Sequence, residues 1–257
     1  GIEEKVPVAI VSQGSPLMYT PALKKAGIRV IQVCSTVRHA RKAADAGVDA
    51  VVVSGTEGGG HSGFDQLTTM CIVPQVVDAV DIPVIAGGGI GDGRGLMAAL
   101  SLGAEGVYMG TRFIATRECP AHPRAKELIL ATPDTGTISL RHGAPSPAVD
   151  DATGNRGFVE ERRGSIRLVI NDYLRRVMAD GKFSYDEIFG KASPDDPGKK
   201  SNRTVDSYIW GKLENTSISA GQISGMIRDL PTCRELVERM VAQAEAVLKR
   251  LRGFHAE

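Results

Sequence analysis

The sequence predicts an α/β fold built on a parallel sheet, and three observations carry that expectation. Short apolar, β-branched runs alternate with helix-like segments about five times over roughly 110 residues. The runs are too continuously apolar for one-sided strands, as in Val51-Val52-Val53, which suits strands covered on both faces. Each run ends in a glycine-rich loop. Alternation of this kind implies right-handed crossovers with helices outside the sheet. Ligands of such folds bind at the carboxyl ends of the strands, where every glycine cluster falls.

The elements follow in order. Val6–Ser12 reads as a strand that stops at Gly14-Ser15-Pro16, and Tyr19–Ala26 as a short helix closed by Gly27. Ile28–Cys34 is the next strand; Ser35 or Thr36 can cap a helix over Val37–Ala46, which Gly47 ends. Ala50–Val53 is the third strand. Val73–Val80 is expected to be helical, Ile82–Ala86 a fourth strand, and Asp92 a cap for a helix over Arg94–Leu102. Gly106–Met109 is the fifth strand and runs into Gly110-Thr111-Arg112.

Beyond Phe113 the pattern changes. Pro123–Ala131 is expected to be helical, Pro133–Asn155 a loop rich in breakers, and Ser165–Ala179 an amphipathic helix. Ser193–Ser201 reads as a polar loop. Thr232–Leu251 is the clearest helix: Leu236, Val237, Met240, Val241, Ala244, Val247, Leu248 and Leu251 recur at helical spacing, which favours packing on the chain's own core.

The stretch Val51–Gly63, VVVSGTEGGGHSG, organises the chemistry. Consecutive glycines weaken regular structure and make sense where backbone turns sharply or a flat ligand lies on bare peptide. His61 follows them and can exchange a proton near neutral pH. Glu57 reads equally as a helper that orients His61 or as an ion-pair partner. Two further loops suit an anion. Gly87–Gly89 precedes a helix expected to start near Gly93, whose first amides and dipole could face a phosphate. Met109-Gly110-Thr111 adds bare amides and a hydroxyl at the next strand end. The spacing is neither GxGxxG nor Walker-type.

Composition narrows the class. The 257 residues are 42% hydrophobic and 24% charged, with a formal net charge of +1. That balance argues against nucleic acid or a membrane surface as the partner. No apolar run is long enough to span a membrane, and no signal peptide is evident, so the cytoplasm is the expected compartment. Cys34, Cys71, Cys119 and Cys233 are widely spaced and read as free thiols, without metal.

The blocks GTEGGGHSG, PQVVDAVDIPVIAGGGIGDGRGLMAALSLGAEGVYMGTRFIATRE and AGQISGMIRDLPTCRELVERM closely resemble the nitronate monooxygenase family. These FMN-dependent TIM-barrel oxidoreductases are related to the FMN-type enoyl-ACP reductases. The resemblance implies a (β/α)8 barrel of which this chain supplies about the last five βα units plus a helical C-terminal segment. Residues 1–118 would be barrel, 119–231 an insert and substrate-side segment, and 232–257 a helix packed on the barrel. It further implies His61 as the catalytic histidine. Ser54, Gly59, Gly60, Gly88, Gly89, Tyr108, Met109, Gly110 and Thr111 would contact FMN, with Gly88, Gly89 and Met109–Thr111 at its phosphate. Ser54 stands where relatives often carry glutamine, and Gly58 where they carry alanine. Ala220-Gly221-Gln222 would fold over the substrate side.

The expected activity is oxidation or reduction of a nitronate or an acyl thioester by FMN, with His61 as the acid–base group. An NAD(P)H-dependent enoyl-thioester reductase is the alternative, and a non-catalytic half-barrel scaffold is the reading from another class. An IMP dehydrogenase-type barrel would need a cysteine nucleophile, and Cys71 lacks the surrounding motif. Five strands cannot close an eight-stranded barrel. A companion chain or N-terminal fragment is therefore expected to supply the first strands, beside a small-molecule substrate.

Overall fold

The structure is a computed structural model that describes residues 2–12, 14–142, 164–179, 192–193, 196–200 and 203–253. They fall into two units: residues 1–58, 66–110 and 231–257, and residues 59–65 and 111–230.

The first unit holds the parallel sheet. Its strands are β1 (Val8–Val11), β2 (Arg29–Cys34), β3 (Ala50–Ser54), β5 (Val84–Gly87) and β6 (Gly106–Tyr108), hydrogen-bonded in the order β1-β2-β3-β5-β6. β4 (Gly60–Ser62) belongs to the second unit. Every neighbouring pair is parallel. Val51, Val52 and Val53 are almost wholly buried, as expected of a central strand covered on both faces. The crossovers run through α1 (Pro16–Lys25), α2 (Val37–Asp45), α3 (Thr69–Val77) and α4 (Gly93–Ser101). Of the two predicted caps for α2, Thr36 serves: its hydroxyl accepts from the His39 amide, while Ser35 meets the His39 ring. Asp49 ties two elements together, accepting from the Val30 amide at 2.7 Å and from Lys24 at 2.6 Å. The Lys24 hydrogen bond, helped by that amide, holds its carboxyl below the ordinary range.

Helix α3 begins a turn earlier than the Val73 start predicted, and Pro74 lies inside it. A proline reads as a first-turn residue in sequence, but here its missing N–H is tolerated within a nine-residue helix. The long C-terminal helix forms as predicted, over Cys233–Arg252, with a Thr232–Glu235 capping box. It packs on α4 so closely that a Cβ at Gly93 would stand 2.4 Å from both Gln243 Cβ and the Met240 carbonyl.

The second unit is arranged around a small antiparallel sheet in the order β4-β8-β7, with β7 at Thr137–His142 and β8 at Gly164–Val169. Its helices are α5 (Thr111–Ile114), α6 (Pro123–Ala131), α7 (Asp172–Ala179) and α8 (Arg203–Tyr208), with a 3-10 turn at Gln222–Met226. Ala115, Ala125, Ile129, Val169, Ile218, Ala220, Ile223 and Ile227 form its main core.

Two expectations need correction here. Ser165–Ala179 is half strand and half helix: Ser165–Val169 pairs on both sides within the sheet, and Asn171 accepts from the Leu174 amide to start α7. Its apolar residues fit both periods, and strand pairing with partners distant in sequence decided between them. The predicted polar loop at Ser193–Ser201 contains β10 (Asp196–Lys200) and the end of β9 (Ala192–Ser193), an antiparallel pair. Much of the predicted Pro133–Asn155 loop lies outside the described residues, and its described start runs into β7. All four cysteines are free thiols, and burial pushes Cys34 up to about 12.

Candidate active site

The strand tips of the first unit bring several predicted residues abreast. Ser54 is in register with Gly87, and Gly87 with Tyr108, so two cofactor candidates, Ser54 and Tyr108, end the strands on either side of Gly87. Beyond Gly87 the chain takes two successive left-handed residues, Gly88 (φ +90°) and Gly89 (φ +71°). Space as well as φ demands glycine at Gly88, since a Cβ there would meet the Gly55 carbonyl at 2.8 Å.

Beneath this loop lies Thr69, a buried residue at the start of α3. Its amide donates to both carboxylate oxygens of Glu57, at 2.9 and 3.0 Å. Its hydroxyl lies 3.0 Å from Glu57 Oε2, 2.9 Å from the Gly88 carbonyl and 3.2 Å from that of Gly87. Glu57 thus caps α3 from twelve residues upstream, in place of Thr68, whose side chain caps nothing. The Glu57 carboxylate therefore meets neither reading made from the sequence, an orienting partner for His61 or an ion pair: its bonds go to Thr69, at the start of a helix and beside a loop. Gly55 is the matching cavity, for a Cβ there would fall 2.2 Å from the Thr69 hydroxyl.

The held carbonyls fix where the amides point. In a trans peptide the C=O of one residue and the N–H of the next face opposite ways. With the Gly87 and Gly88 carbonyls turned toward Thr69, the N–H groups of Gly88 and Gly89 face away from it. Among the described residues neither donates to another protein group. Adjacent amides of this kind make an anion-binding concavity. Gly110, after β6, faces open space where a side chain would stand. These glycines fit a phosphate.

The helix start predicted to help them does not. Asp92 accepts from the Arg94 and Gly95 amides at 2.9 and 3.3 Å, and Gln243 accepts from the Gly93 amide at 3.0 Å. Burial alone would raise the Asp92 carboxyl, but the Arg94 guanidinium and the two amides outweigh it and hold it low. The first amides of α4 are therefore taken by the chain's own side chains: the Asp92 cap was legible in the sequence, and the Gln243 bond needs the contact with the C-terminal helix.

His61 lies in the second unit, on β4, where a Gly-rich rim was expected. It stands opposite Ile166 in register, between Gly60↔Arg167 and Ser62↔Ser165. Two contacts fix this short strand. A Cβ at Gly59 would meet the Ala220 backbone at 2.6 Å, so only glycine permits the approach. On the other side, the buried Ser165 hydroxyl lies 2.7 Å from Ser62 Oγ and donates to the Gly63 carbonyl at 3.1 Å. His61 keeps an exposed face, yet partial burial disfavours its cation and lowers its pKa below 6.5.

The same unit brings Thr111 to this segment, because the Gly221 amide donates to its hydroxyl at 2.9 Å. The Ala220-Gly221 backbone, singled out in the sequence, thus touches both a glycine before His61 and the threonine of the MGT loop. Behind Thr111, the buried Arg112 donates to the Asp229 carboxylate at 2.7 Å and to the Ala115 and Asp229 carbonyls. Sequence reading missed Thr69, Ser165 and Arg112, since each acts through a partner distant in the chain. Among the described residues no group of three or more His, Cys, Asp or Glu could hold a metal. No helix among them is long and apolar enough to cross a membrane.

The sequence profile described as Nitronate monooxygenase matches residues 2–145, more than half of the chain. The chain belongs to the nitronate monooxygenase family. It is an oxidoreductase of that family, whose members are flavin enzymes. A (3aS,4S,5R,7aS)-5-hydroxy-7a-methyl-1-oxo-octahydro-1H-indene-4-carboxyl-CoA dehydrogenase of Rhodococcus jostii is 36% identical over 260 residues, covering 95% of this chain and 72% of that protein. A "Probable nitronate monooxygenase" of Staphylococcus aureus is 38% identical over 169 residues, or 62% of this chain and 47% of that protein. Among solved structures, FabK from Thermotoga maritima superposes with a TM-score of 0.77 at 32% identity, over 99% of this chain and 73% of its own. The parallel α/β fold is that of these enzymes.

Proposed function

We propose that this family member is an FMN-dependent oxidoreductase that removes two hydrogens from an acyl-CoA thioester. The carrying observation is the extent of likeness. The CoA-thioester dehydrogenase matches 95% of the chain, whereas the nitronate monooxygenase matches 62%.

The residues support this chemistry. Gly88 and Gly89, with Met109, Gly110 and Thr111, would hold the FMN phosphate; Ser54, Gly59, Gly60 and Tyr108 would lie against the cofactor. Bound FMN supplies a two-electron acceptor for hydride. His61 takes the other hydrogen as a proton, from the carbon that the thioester carbonyl acidifies. Its lowered pKa keeps the imidazole neutral at pH 7, the form a base requires. Glu57 and Thr69 keep the phosphate loop in shape, and Ser165 and Ala220 keep the His61 strand in place. In the reverse direction the same imidazole, once protonated, would return the proton.

The test is spectroscopic. The flavin-loaded protein is mixed anaerobically with a fused-ring carboxyl-CoA ester, and the flavin band is followed. Bleaching by the CoA ester, with none by a nitronate, is the expected result. Bleaching by nitronate alone would replace this reading with nitronate oxidation. Bleaching by NAD(P)H, followed by reoxidation with an enoyl thioester, would mark a reductase.

A further inference from the structure

We propose that Thr69 is a positioning residue for the FMN phosphate and sets the chain's preference for phosphorylated over unphosphorylated flavin. The inference rests on the FMN reading above, but it concerns a residue that carries no contact to cofactor itself. The Thr69 hydroxyl lies 2.9 Å from the Gly88 carbonyl, while the Gly87 carbonyl, 3.2 Å from that hydroxyl, accepts from the Gly55 amide at 2.9 Å. Planar peptides then turn the Gly88 and Gly89 amides to the opposite side, where they can converge on one anion. The loop cannot adopt this shape for steric reasons alone, because two glycines in sequence are the freest backbone a chain can have. Something must choose one arrangement among many.

Thr69 is itself held rigidly enough to do so. Glu57 grips its amide with both oxygens, and Gly55 leaves the gap that its hydroxyl fills. Glu57 also lines the loop from below, its Cβ 3.2 Å from where a Gly89 side chain would start. The set Gly55, Glu57, Thr69 and Gly88 therefore acts as one hydrogen-bonded wedge under the two amides. Valine at position 69 would keep the volume and lose the hydroxyl; serine would keep the hydroxyl.

FMN and riboflavin differ only by the phosphate, so their affinities separate a loop effect from general damage. Flavin binding to the full chain is measured by fluorescence titration for both. Wild type should prefer FMN strongly. Thr69→Val should weaken FMN by about tenfold, the usual size of one well-placed hydrogen bond in an equilibrium, and leave riboflavin unchanged. Thr69→Ser should restore the FMN affinity. If Thr69→Val does not fold, Thr69→Ala carries the same comparison. Equal loss for both flavins, or no loss for either, would overturn the proposal. A wild-type protein that binds riboflavin as tightly as FMN would instead overturn the phosphate assignment itself, and the proposal with it.

Discussion

An imidazole in water is half protonated near pH 6.5, and disfavouring its cation enlarges the neutral fraction available as a base at the expense of basicity. Partial burial does this for His61. The sign follows directly: a lowered pKa extends the neutral, active form to more acid pH. The acid limb of kcat/KM should accordingly fall below pH 6.5. In His61→Ala that limb should vanish and kcat should drop by roughly 10²–10⁴-fold, the range for a lost acid–base group, with FMN still bound. A pH–rate profile on both proteins checks this, and an unchanged kcat would remove His61 from the mechanism. Ser165 acts through position. Ser165→Ala removes the hydroxyl that holds Ser62 and Gly63, at a cost of about 1 kcal/mol for the hydrogen bonds. We expect a several-fold lower kcat with KM little changed, read from steady-state kinetics. At this scale the sequence shows His61 and the glycines, because special backbone and a titratable ring announce themselves. Thr69 and Ser165 are ordinary residues in sequence. Ser165 meets Ser62 across 103 positions, and no local pattern carries that information.

Elements were legible where one period dominated and partners were near in the chain. The five parallel strands lie within a few residues of their predicted limits, since continuous β-branched runs between glycines admit few other readings. The C-terminal helix was equally plain from eight apolar positions at helical spacing, to which the structure adds a Thr232–Glu235 capping box. Ser165–Ala179 failed because its first half earns its strand from pairing with Thr137–His142 and Gly60–Ser62, both far away in sequence. The contact between α4 and the C-terminal helix yields a prediction at this scale. Gly93→Ala would drive a methyl group into Gln243 and the Met240 carbonyl at 2.4 Å. The helix must shift, at a cost of about 1–3 kcal/mol for overpacking. Denaturant unfolding should show that loss, together with a weakened grip of Gln243 on the Gly93 amide.

A parallel sheet of five strands leaves two edges, and in the first unit those are β1 and β6. β1 is an apolar edge: Val8 and Ile10 are 44% and 50% exposed. On the adjoining helix Leu17, Met18 and Tyr19 are exposed as well, and a groove of about 600 Å³ runs between Ile2, Val11, Met18 and Leu23. Lone strands of this composition are templates for further pairing, and proteins normally cover them. The FabK chain is longer than the part matched here, which spans 73% of it. We therefore expect a companion segment of parallel βα units to pair with β1 and fill the groove. Co-expression of this chain with the unmatched portion of FabK, followed by light scattering on the eluted species, should give a one-to-one complex that retains flavin. Ile10→Lys places a charge on the covered face and should abolish that complex while leaving the chain's own helix content intact. A stable monomer that forms no complex and is indifferent to Ile10→Lys would show that the edge needs no partner.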